Sequence, residues 1–360
     1  MGGGNRLQIY LVLIISFLLA LIAKKKDKKI WVVLLITLLS CFVGFRTIDV
    51  GIDTDVYNDM FLRLQQGNFV GDFELGFKLL SFLIIKIFGS VTSVFLIYSL
   101  ITNACIIGRL WSLRSKVSFS ASVLMYLLLY YAESCNIMGQ YLAVAIIFAA
   151  TGLLDKKKYV KFGIMVALAS LLHLSSVIAM ALIPLHILFS SKTTRKTKRR
   201  LVAAIIVMFP VAIFVIIKVM GAYSGYFEGG NNSFGLMHLY RLAAWVVCVL
   251  FTSKGLFKKP SGEQLSPETL ELADQSDNRP IAAYYLIGVA LSFMGYIYTT
   301  LLRVGLCFNF FEMIFIPMVC KKGVKGYALA RFIYVVYIAY FLYGVIASGW
   351  SGLADYSWVL

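Results

Sequence analysis

VKFGIMVALASLLHLSSVIAMALIPLHILF, residues 160–189, is an apolar run that is longer than one ordinary membrane span of about 20 residues. Lysine-rich clusters stand on both sides of it, at 156–161 and at 192–200. Under the positive-inside rule, both clusters stay on the cytoplasmic side of a membrane. The run therefore has to cross the membrane twice, and its outer turn is predicted near His173, Leu174 and Ser175.

The whole chain shares this composition. It is 60% hydrophobic and 14% charged, with a mean hydropathy of +0.85, whereas about a quarter of the residues of a soluble domain are charged. The sequence predicts an all-α polytopic membrane protein. Its net charge of +17 comes from clusters that flank apolar spans and form no nucleic-acid-binding motif, so no nucleic acid partner is expected.

About twelve transmembrane helices are predicted, and they form a single integral membrane domain over residues 1–360. The candidate spans are 7–23, 30–45, 91–108, 118–131, 140–154, 160–172, 175–189, 201–220, 239–252, 281–300, 303–320 and 327–347. Residues 257–280 combine acidic residues with Pro, Ser and Gly and have no apolar periodicity. This segment is predicted to be a solvated cytoplasmic linker loop.

The first large outer loop, residues 46–90, is predicted to be periplasmic and to carry interfacial helices. An apolar stripe there predicts an amphipathic helix that lies on the outer membrane surface; its members are Val56, Tyr57, Met60, Phe61 and Leu64. Residues 75–88 are apolar as well, but counting them as a span would place the basic cluster at 109–116 outside. They are therefore predicted to form an interfacial or re-entrant helix.

The predicted outer face gathers polar residues from distant parts of the chain. These are Arg46, Asp53, Asp55, Tyr57 and Glu74 in the first loop, and Gln140, His173, Arg241 and Arg303 in later turns or helix ends. Such a set suits transfer of a group that is carried on a lipid diphosphate. Arginine binds phosphate bidentately and stabilises the charge that develops on the leaving diphosphate. A carboxylate can accept the proton of the acceptor hydroxyl.

Each candidate has a structural alternative. Asp53 is well placed to cap a helix that starts at the next residue. Arg46 and Arg303 can be snorkelling anchors at span ends, and His173 can be a turn histidine bound to backbone. Glu312 lies about 13 Å along a predicted continuous helix from Arg303, too far for direct pairing, and is either functional or a structural hydrogen-bond partner. No zinc-type ligand spacing is present.

Short motifs in the same order resemble the EpsG family of bacterial polysaccharide polymerases, which are related in role to the Wzy O-antigen polymerases. FRTIDVGIDTDVY at 45–57 resembles the family's F-R…G-x-D-x-x-x-Y signature. ELGF at 74–77 resembles its E-x-G-F segment, and LHLS at 172–175 its F-H-x-S turn. Arg303 with Phe308, Phe310 and Pro317 resembles its late helix. One departure is Gly139 before Gln140, where the family commonly has Arg-Gln.

The resemblance implies a glycosyltransferase that joins undecaprenyl-diphosphate-linked oligosaccharide repeat units into O-antigen or exopolysaccharide. It would work at the periplasmic face of the bacterial inner membrane. Its partners would be the lipid-linked oligosaccharide and membrane lipid. A chain-length regulator protein is a further candidate partner. No cofactor and no metal are expected.

The resemblance also suggests roles for residues. The catalytic set would be Arg46, Arg303, Asp53 and Asp55, with the arginines on diphosphate and one aspartate as base. The substrate-binding set would be Tyr57, Glu74, Gln140, His173, Arg241 and Glu312. A lipid-linked oligosaccharide flippase and an O-antigen ligase of the lipopolysaccharide pathway are the alternatives, since the ligase uses the same donor.

Overall fold

The computed structural model describes residues 6–190, 193–203, 241–246, 279–294, 299–320, 323–347 and 352–353. Within these ranges the chain is helical and contains no β-strand beyond a single bridge residue at Arg46. The all-α prediction is confirmed for this part of the chain. The predicted linker lies outside the described residues from 257 to 278, as do most of the predicted spans 201–220 and 239–252.

The described ranges contain fourteen α-helices with defined bounds. They are α1 Arg6–Lys26, α2 Lys29–Gly44, α3 Thr54–Gln65, α4 Leu75–Phe88, α5 Thr92–Ser112, α6 Phe119–Leu129, α7 Tyr131–Ser134, α8 Met138–Asp155, α9 Tyr159–Leu172, α10 Leu182–Phe189, α11 Arg279–Met294, α12 Thr299–Asn309, α13 Glu312–Cys320 and α14 Gly323–Phe341. A 3₁₀ helix spans Leu174–Ala181 and a π-helix spans Leu342–Ala347. Residues 195–203 and 241–246 are helical too.

Three helices are long and apolar enough to cross a membrane, namely those that contain Gln8–Lys26, Thr92–Ser112 and Met138–Asp155. The pair Leu301–Asn309 and Glu312–Val319 becomes a fourth candidate if it is one bent span. Six further apolar helices in the described ranges are shorter. The chain thus has the helices of a membrane protein, while the number of twelve spans stays a prediction.

The run that decided the fold, residues 160–189, breaks where the sequence predicts. Helix α9 ends at Leu172, His173 is extended with φ −155° and ψ 112°, and the 3₁₀ helix begins at Leu174. The helix following this break, α10, begins only at Leu182 because the 3₁₀ helix takes up the intervening residues.

By contact, the chain divides into two compact units, Met1–Val177 with Cys320–Leu360, and Ile178–Val319. They are called unit 1 and unit 2, and each is described by itself. In unit 1, α2 packs on α1 and α5, and α8 packs on α5 and α9. In unit 2, α11 packs on α10 and α12.

Unit 1 has two ends with different chemistry. At the basic end, ion pairs join Arg109 to Asp155 at 2.8 Å and Arg114 to Asp27 at 2.7 Å. The other end is named the loop end and contains residues 46–54, 74, 136–140, 173–174 and 352. Helices α5 and α8 run from the loop end to the basic end over about 30 Å and 27 Å, respectively. The basic clusters that were predicted to be cytoplasmic therefore lie away from the predicted outer loops within this unit.

Two details of the predicted helices are wrong. The span predicted as one helix at 303–320 is two helices, α12 and α13, bent by 46° at Phe310 and Phe311. Neither glycine nor proline stands at the break, and both residues there are apolar. The sequence therefore gives no local signal for the bend. Glu312 therefore begins a new helix and does not lie along the helix of Arg303.

The second error concerns the stripe of α3. Tyr57, Met60, Phe61 and Leu64 are buried against residues of α4, α5 and α8 and do not lie on a membrane surface. Only Val56 of the stripe is outward, at 50% exposure. Helix α4 instead turns a separate apolar stripe outward; its members are Leu75, Leu79, Leu83 and Ile87. This stripe has the i, i+4 spacing that an interfacial or re-entrant helix needs.

Candidate functional site

The loop that contains the aspartates is built around Gly51, whose φ of +98° is accessible mainly to glycine. Its N–H donates to the carbonyl oxygen of Gly352 at 3.0 Å. The next N–H, of Ile52, donates to Oδ1 of Asn136 at 2.8 Å. A side chain on Gly51 would meet both the Asn136 amide and the Thr54 hydroxyl. The loop is thus fixed by two distant segments of unit 1.

Arg46 lies directly beneath this loop. Its side chain follows α2, is only 5% exposed, and places Cζ 5.4 Å from the centre of the Phe95 ring. Nη2 lies 3.7 Å from Sδ of Met138. A snorkelling anchor would extend its charge to water, so the enclosed Arg46 does not fit that alternative. The Arg46 guanidinium is thus enclosed next to the aspartate loop.

The two aspartates of the loop differ. Helix α3 begins at Thr54 as predicted, and Asp53 occupies the N-cap position, but its side chain makes no capping hydrogen bond. The capping alternative for Asp53 is therefore wrong. Asp55 is exposed, and its Oδ1 accepts a hydrogen bond from the N–H of Val56 at 2.8 Å. Of the two, Asp53 is the more enclosed carboxylate.

Tyr57 connects the loop with the Glu74 segment. Its ring centre lies 5.4 Å from that of Phe73 and 5.9 Å from that of Phe77, and its hydroxyl accepts from the N–H of Gly139 at 3.5 Å. The side chain is 6% exposed. Gln140 follows Gly139 at the start of α8 and is 2% exposed. Tyr57 therefore supports the site by packing, and it brings α3 to the beginning of α8.

Glu74 and His173 form a pair that the sequence did not predict. Nδ1 of His173 lies 2.9 Å from Oε1 of Glu74, and the same oxygen accepts the N–H of Leu174 at 3.0 Å. Their side chains are 23% and 26% exposed, respectively. His173 does stand at the turn, but its Nδ1 contacts a carboxylate and not the backbone of the alternative reading. Burial raises the pKa of Glu74, but the hydrogen bond and charge of His173, together with the Leu174 N–H, outweigh it and lower the pKa overall.

Gly76 explains how this pair comes together. A Cβ at this position would collide with the carbonyl oxygen of Leu171, so only glycine lets α4 approach the end of α9 this closely. Glu74 and His173 are separated by about 100 residues of sequence, yet they face each other because their helices touch here.

In unit 2, three of the described side chains form a buried group. Nε of Arg241 lies 3.2 Å from Oε2 of Glu312, which is fully buried. The hydroxyl of Tyr285 donates to Oε1 of Glu312 at 2.9 Å. Glu312 stands in the first turn of α13, where the helix dipole favours a negative charge. The side chain of Arg303 is exposed on α12.

The site residues predicted from sequence thus fall into two sets. Unit 1 holds Arg46, Asp53, Asp55, Tyr57, Glu74, Gln140 and His173 at its loop end. Unit 2 holds Arg241, Arg303 and Glu312. Within unit 1 the structure brings four separate motifs together, and within unit 2 it pairs Arg241 with Glu312.

Comparison with known families agrees with this order of motifs. The model of the EpsG family matches residues 29–358, which is nearly the whole chain. The chain belongs to the EpsG family. This is a family of Wzy-like polysaccharide polymerases, so the resemblance seen in the sequence is confirmed and the family suggests a polysaccharide polymerase. No curated protein and no solved structure matches the chain.

In this EpsG chain, sequence reasoning placed Asn136 among the polar residues of the outer face, and its amide oxygen holds the aspartate loop. It missed Gly352, which closes the loop from the C-terminal segment, and Tyr285, which holds Glu312. Neither of these two stands out by charge or motif, because each acts through a contact between distant segments. In the described ranges, no group of three or more His, Cys, Asp or Glu side chains is placed to hold a metal ion.

Proposed function

We propose that this EpsG protein is a glycosyltransferase that joins oligosaccharide repeat units, carried on undecaprenyl diphosphate, into a longer glycan of the O-antigen or exopolysaccharide type. One observation carries the proposal. The family's motif residues that belong to unit 1 meet at one end of it, although the sequence separates them widely, and they combine a buried arginine with acidic residues and a histidine.

The same end is proposed to face the periplasm. The basic clusters of unit 1 lie at the opposite end, and the positive-inside rule assigns such clusters to the cytoplasm. Lipid-linked repeat units and the growing chain would then meet on the outer side of the bacterial inner membrane. The outward apolar stripe of α4 would lie in lipid beside the site, where the carrier's isoprenoid chain runs.

The chemistry requires an oxygen of the acceptor sugar to attack the anomeric carbon of the donor. The bond from that carbon to the diphosphate breaks, and the electron pair leaves with the diphosphate. Arg46 would stabilise this charge at the loop end of unit 1, since guanidinium groups bind phosphate oxygens bidentately, and the resemblance to the family implies the same role for Arg303 and Arg241. A basic side chain at the loop end would accept the hydroxyl proton, with Asp53, Asp55 and His173 as the candidates, and Gln140 would orient sugar or phosphate.

The remaining predicted residues would act less directly. Tyr57 packs the aspartate loop against α4 and α8. Glu312 holds Arg241 by a buried ion pair, so it would set the position of the arginine without contact to the glycan. A chain-length regulator would bind elsewhere on the protein.

Surface glycan length tests the proposal. A strain without the gene is complemented with wild type, Arg46→Ala, Asp53→Asn or Arg303→Ala, and membrane abundance of each protein is measured. We expect deletion to leave a single repeat unit on the surface lipid, and the three variants to fail to restore long chains at normal abundance. Removing one such electrostatic contact costs about 10²–10³ in rate.

Matched controls come from the same loop. Arg63 and Asp59 are exposed on α3, and Nε of Arg63 donates only to the Asp59 carbonyl in the next turn. Arg63→Ala and Asp59→Asn should restore full chain length. Loss of all surface glycan on deletion would point to a flippase or a ligase, and unchanged chain length would refute polymerase activity.

A further inference from the structure

The pair of Glu74 and His173 is the second acid–base group at the loop end. Nδ1 of His173 lies within hydrogen-bond distance of Glu74, which also accepts the Leu174 N–H, so the carboxylate is held from two directions. Among the described residues, no hydrogen-bond partner engages Nε2 of His173, and the side chain is 23% exposed. The ring is thus fixed by one nitrogen, while the other is open to a ligand.

This arrangement is that of an oriented general base. A carboxylate that accepts the Nδ1 proton holds the imidazole in the tautomer whose Nε2 carries the lone pair. It also stabilises the imidazolium that forms when Nε2 takes a proton. Burial raises the pKa of Glu74, but its contacts with His173 and Leu174 lower the pKa by more, so the net shift is downward. The carboxylate is therefore charged at neutral pH.

We propose that His173 is the residue that takes the proton from the acceptor hydroxyl, with Glu74 as its positioning residue. This inference rests on the polymerase function proposed above. As the acceptor oxygen bonds to the anomeric carbon, its proton moves to Nε2 of His173. The electron pair of the broken bond leaves on the diphosphate, and the imidazolium then returns its proton to water or to the diphosphate.

Of the two aspartates, Asp55 fits this role less well, because its carboxylate is exposed and accepts the N–H of the next residue. Asp53 stands at the N-cap of α3 without a side-chain capping hydrogen bond. Catalytic bases are typically oriented by a second group, and Glu74 orients His173 in this way.

The charged neighbours of His173 are few. Helix α4, which packs on α9, contributes Glu74, Lys78 and Lys86; Nζ of Lys78 donates to the carbonyl oxygens of Phe69 and Gly71. Helix α8 contributes Asp155 at its far end, in an ion pair with Arg109. Lys161 and Tyr159 lie at the opposite end of α9. Of the ionisable groups named here, Glu74 is the one in contact with the ring.

The rate of polymerisation as a function of pH tests the inference. The full-length protein is purified in nanodiscs and given lipid-linked repeat units isolated from a strain without polymerase. Initial rates are measured from pH 5 to 9. Wild type should lose rate toward acid pH, where a base of the histidine type becomes protonated.

The fall in rate toward acid pH is called the acid limb. His173→Gln should lower the rate by about 10²–10³ and remove this acid limb. Glu74→Gln should lower it by about 10-fold and move the limb to lower pH, because the neutral amide no longer stabilises the imidazolium. Asp53→Asn should lower the rate without moving the limb. A purely structural role of Glu74 would reduce the amount of folded protein and would leave the limb in place.

Two further variants keep the result clear. His186→Gln is the matched control, because Nδ1 of His186 is bound to the Tyr284 hydroxyl in unit 2, and it should retain the wild-type limb. In His173→Ala, added imidazole should restore part of the rate. Retention of the limb in His173→Gln, or its movement in Asp53→Asn, would overturn this inference. A wild-type protein that makes no polymer would refute the proposed function itself.

Discussion

Two glutamates of this protein are predicted to serve the same substrate, but they lie in opposite surroundings. Glu74 in unit 1 has a side chain 26% exposed and pairs with a histidine, whereas Glu312 in unit 2 is fully buried and pairs with an arginine. A fully buried carboxylate needs a partner that stays charged, because an uncompensated buried charge is very costly. A carboxylate with access to water can share a proton with a histidine.

The different surroundings of the two glutamates suggest a structural role for one pair and a chemical role for the other. The Arg241 and Glu312 pair is a fixed charge arrangement inside unit 2, and Tyr285 occupies the second oxygen of Glu312. The Glu74 and His173 pair is open at Nε2 and can change its protonation. We therefore expect the first pair to determine stability and the second to determine rate, and the predictions below test this contrast.

The largest effect is expected when Arg241 is replaced. Arg241→Met leaves Glu312 charged and buried, which should destabilise the protein by about 3–5 kcal/mol. Thermal unfolding in detergent and membrane abundance measure the loss. Arg114→Met is the matched control, because its partner Asp27 is 66% exposed, and it should cost less than about 1 kcal/mol. Arg241→Met with Glu312→Gln should recover most of the loss, and equal unfolding temperatures for Arg241→Met and Arg114→Met would contradict the contrast.

A smaller effect is expected when the contact that brings Glu74 and His173 together is disturbed. Gly76→Ala places a Cβ against the Leu171 carbonyl, which should destabilise by about 1–3 kcal/mol through overpacking and push Glu74 away from His173. Both unfolding temperature and surface glycan length should fall. Gly108→Ala on α5 is the control, since no atom lies within 4 Å of a Cβ there, and it should be neutral or slightly stabilising. Equal behaviour of the two variants would show that α4 and α9 are not held by this contact.

The titration of Glu74 gives a third, weaker effect. Because its pKa is lowered from the ordinary value of 4.5, the ionised carboxylate stabilises the folded state at pH values above 4.5, and this stabilisation is lost as the pH falls through the folded-state pKa. Glu74→Gln should therefore unfold more easily than wild type at pH 7, by about 1 kcal/mol. The difference should shrink as the pH falls below 4.5 and through the folded-state pKa. A difference that is constant with pH would mean that the carboxylate acts through shape alone.

The sequence predicted those parts of the fold that depend on hydropathy and charge. The break at His173 follows from two basic clusters around one long apolar run, and the helix start at Thr54 follows from local preference. The burial of α3 was not predicted, because an amphipathic stripe shows which face is apolar but not whether lipid or protein covers it. The bend between α12 and α13 lies at two phenylalanines, where no local signal marks it.

The candidate site shows the same limit. Its residues were predicted from motifs and from their common side, yet the pairing of Glu74 with His173 depends on the approach of α4 to α9, which no single motif encodes. Contacts of this kind arise from packing of distant helices. Such contacts depend on the positions of side chains in the folded protein, which a motif does not specify.

The smallest effect concerns Tyr57, which lies between the aspartate loop and the Glu74 segment. Its ring is enclosed by Phe61, Phe73 and Phe77, but its hydroxyl contacts the Gly139 N–H only at 3.5 Å, the outer limit of a hydrogen bond. Tyr57→Phe should thus change stability by no more than about 0.5 kcal/mol and retain long surface chains, whereas Tyr57→Leu should shorten them by loosening the loop.

Comparison of Tyr57→Phe with Tyr57→Leu shows whether the Tyr57 hydroxyl belongs to the reactive part of unit 1. If Tyr57→Phe keeps both the unfolding temperature and the glycan length, the ring serves only to hold α3 against α4 and α8. If it keeps the unfolding temperature but shortens the glycan, the hydroxyl contacts substrate, and the reactive part of the site extends from His173 across to the aspartate loop. Tyr57→Phe removes only the hydroxyl and keeps the ring, so any change that it causes is assigned to the hydroxyl. Tyr57→Leu keeps an apolar side chain at the same position but removes the ring as well.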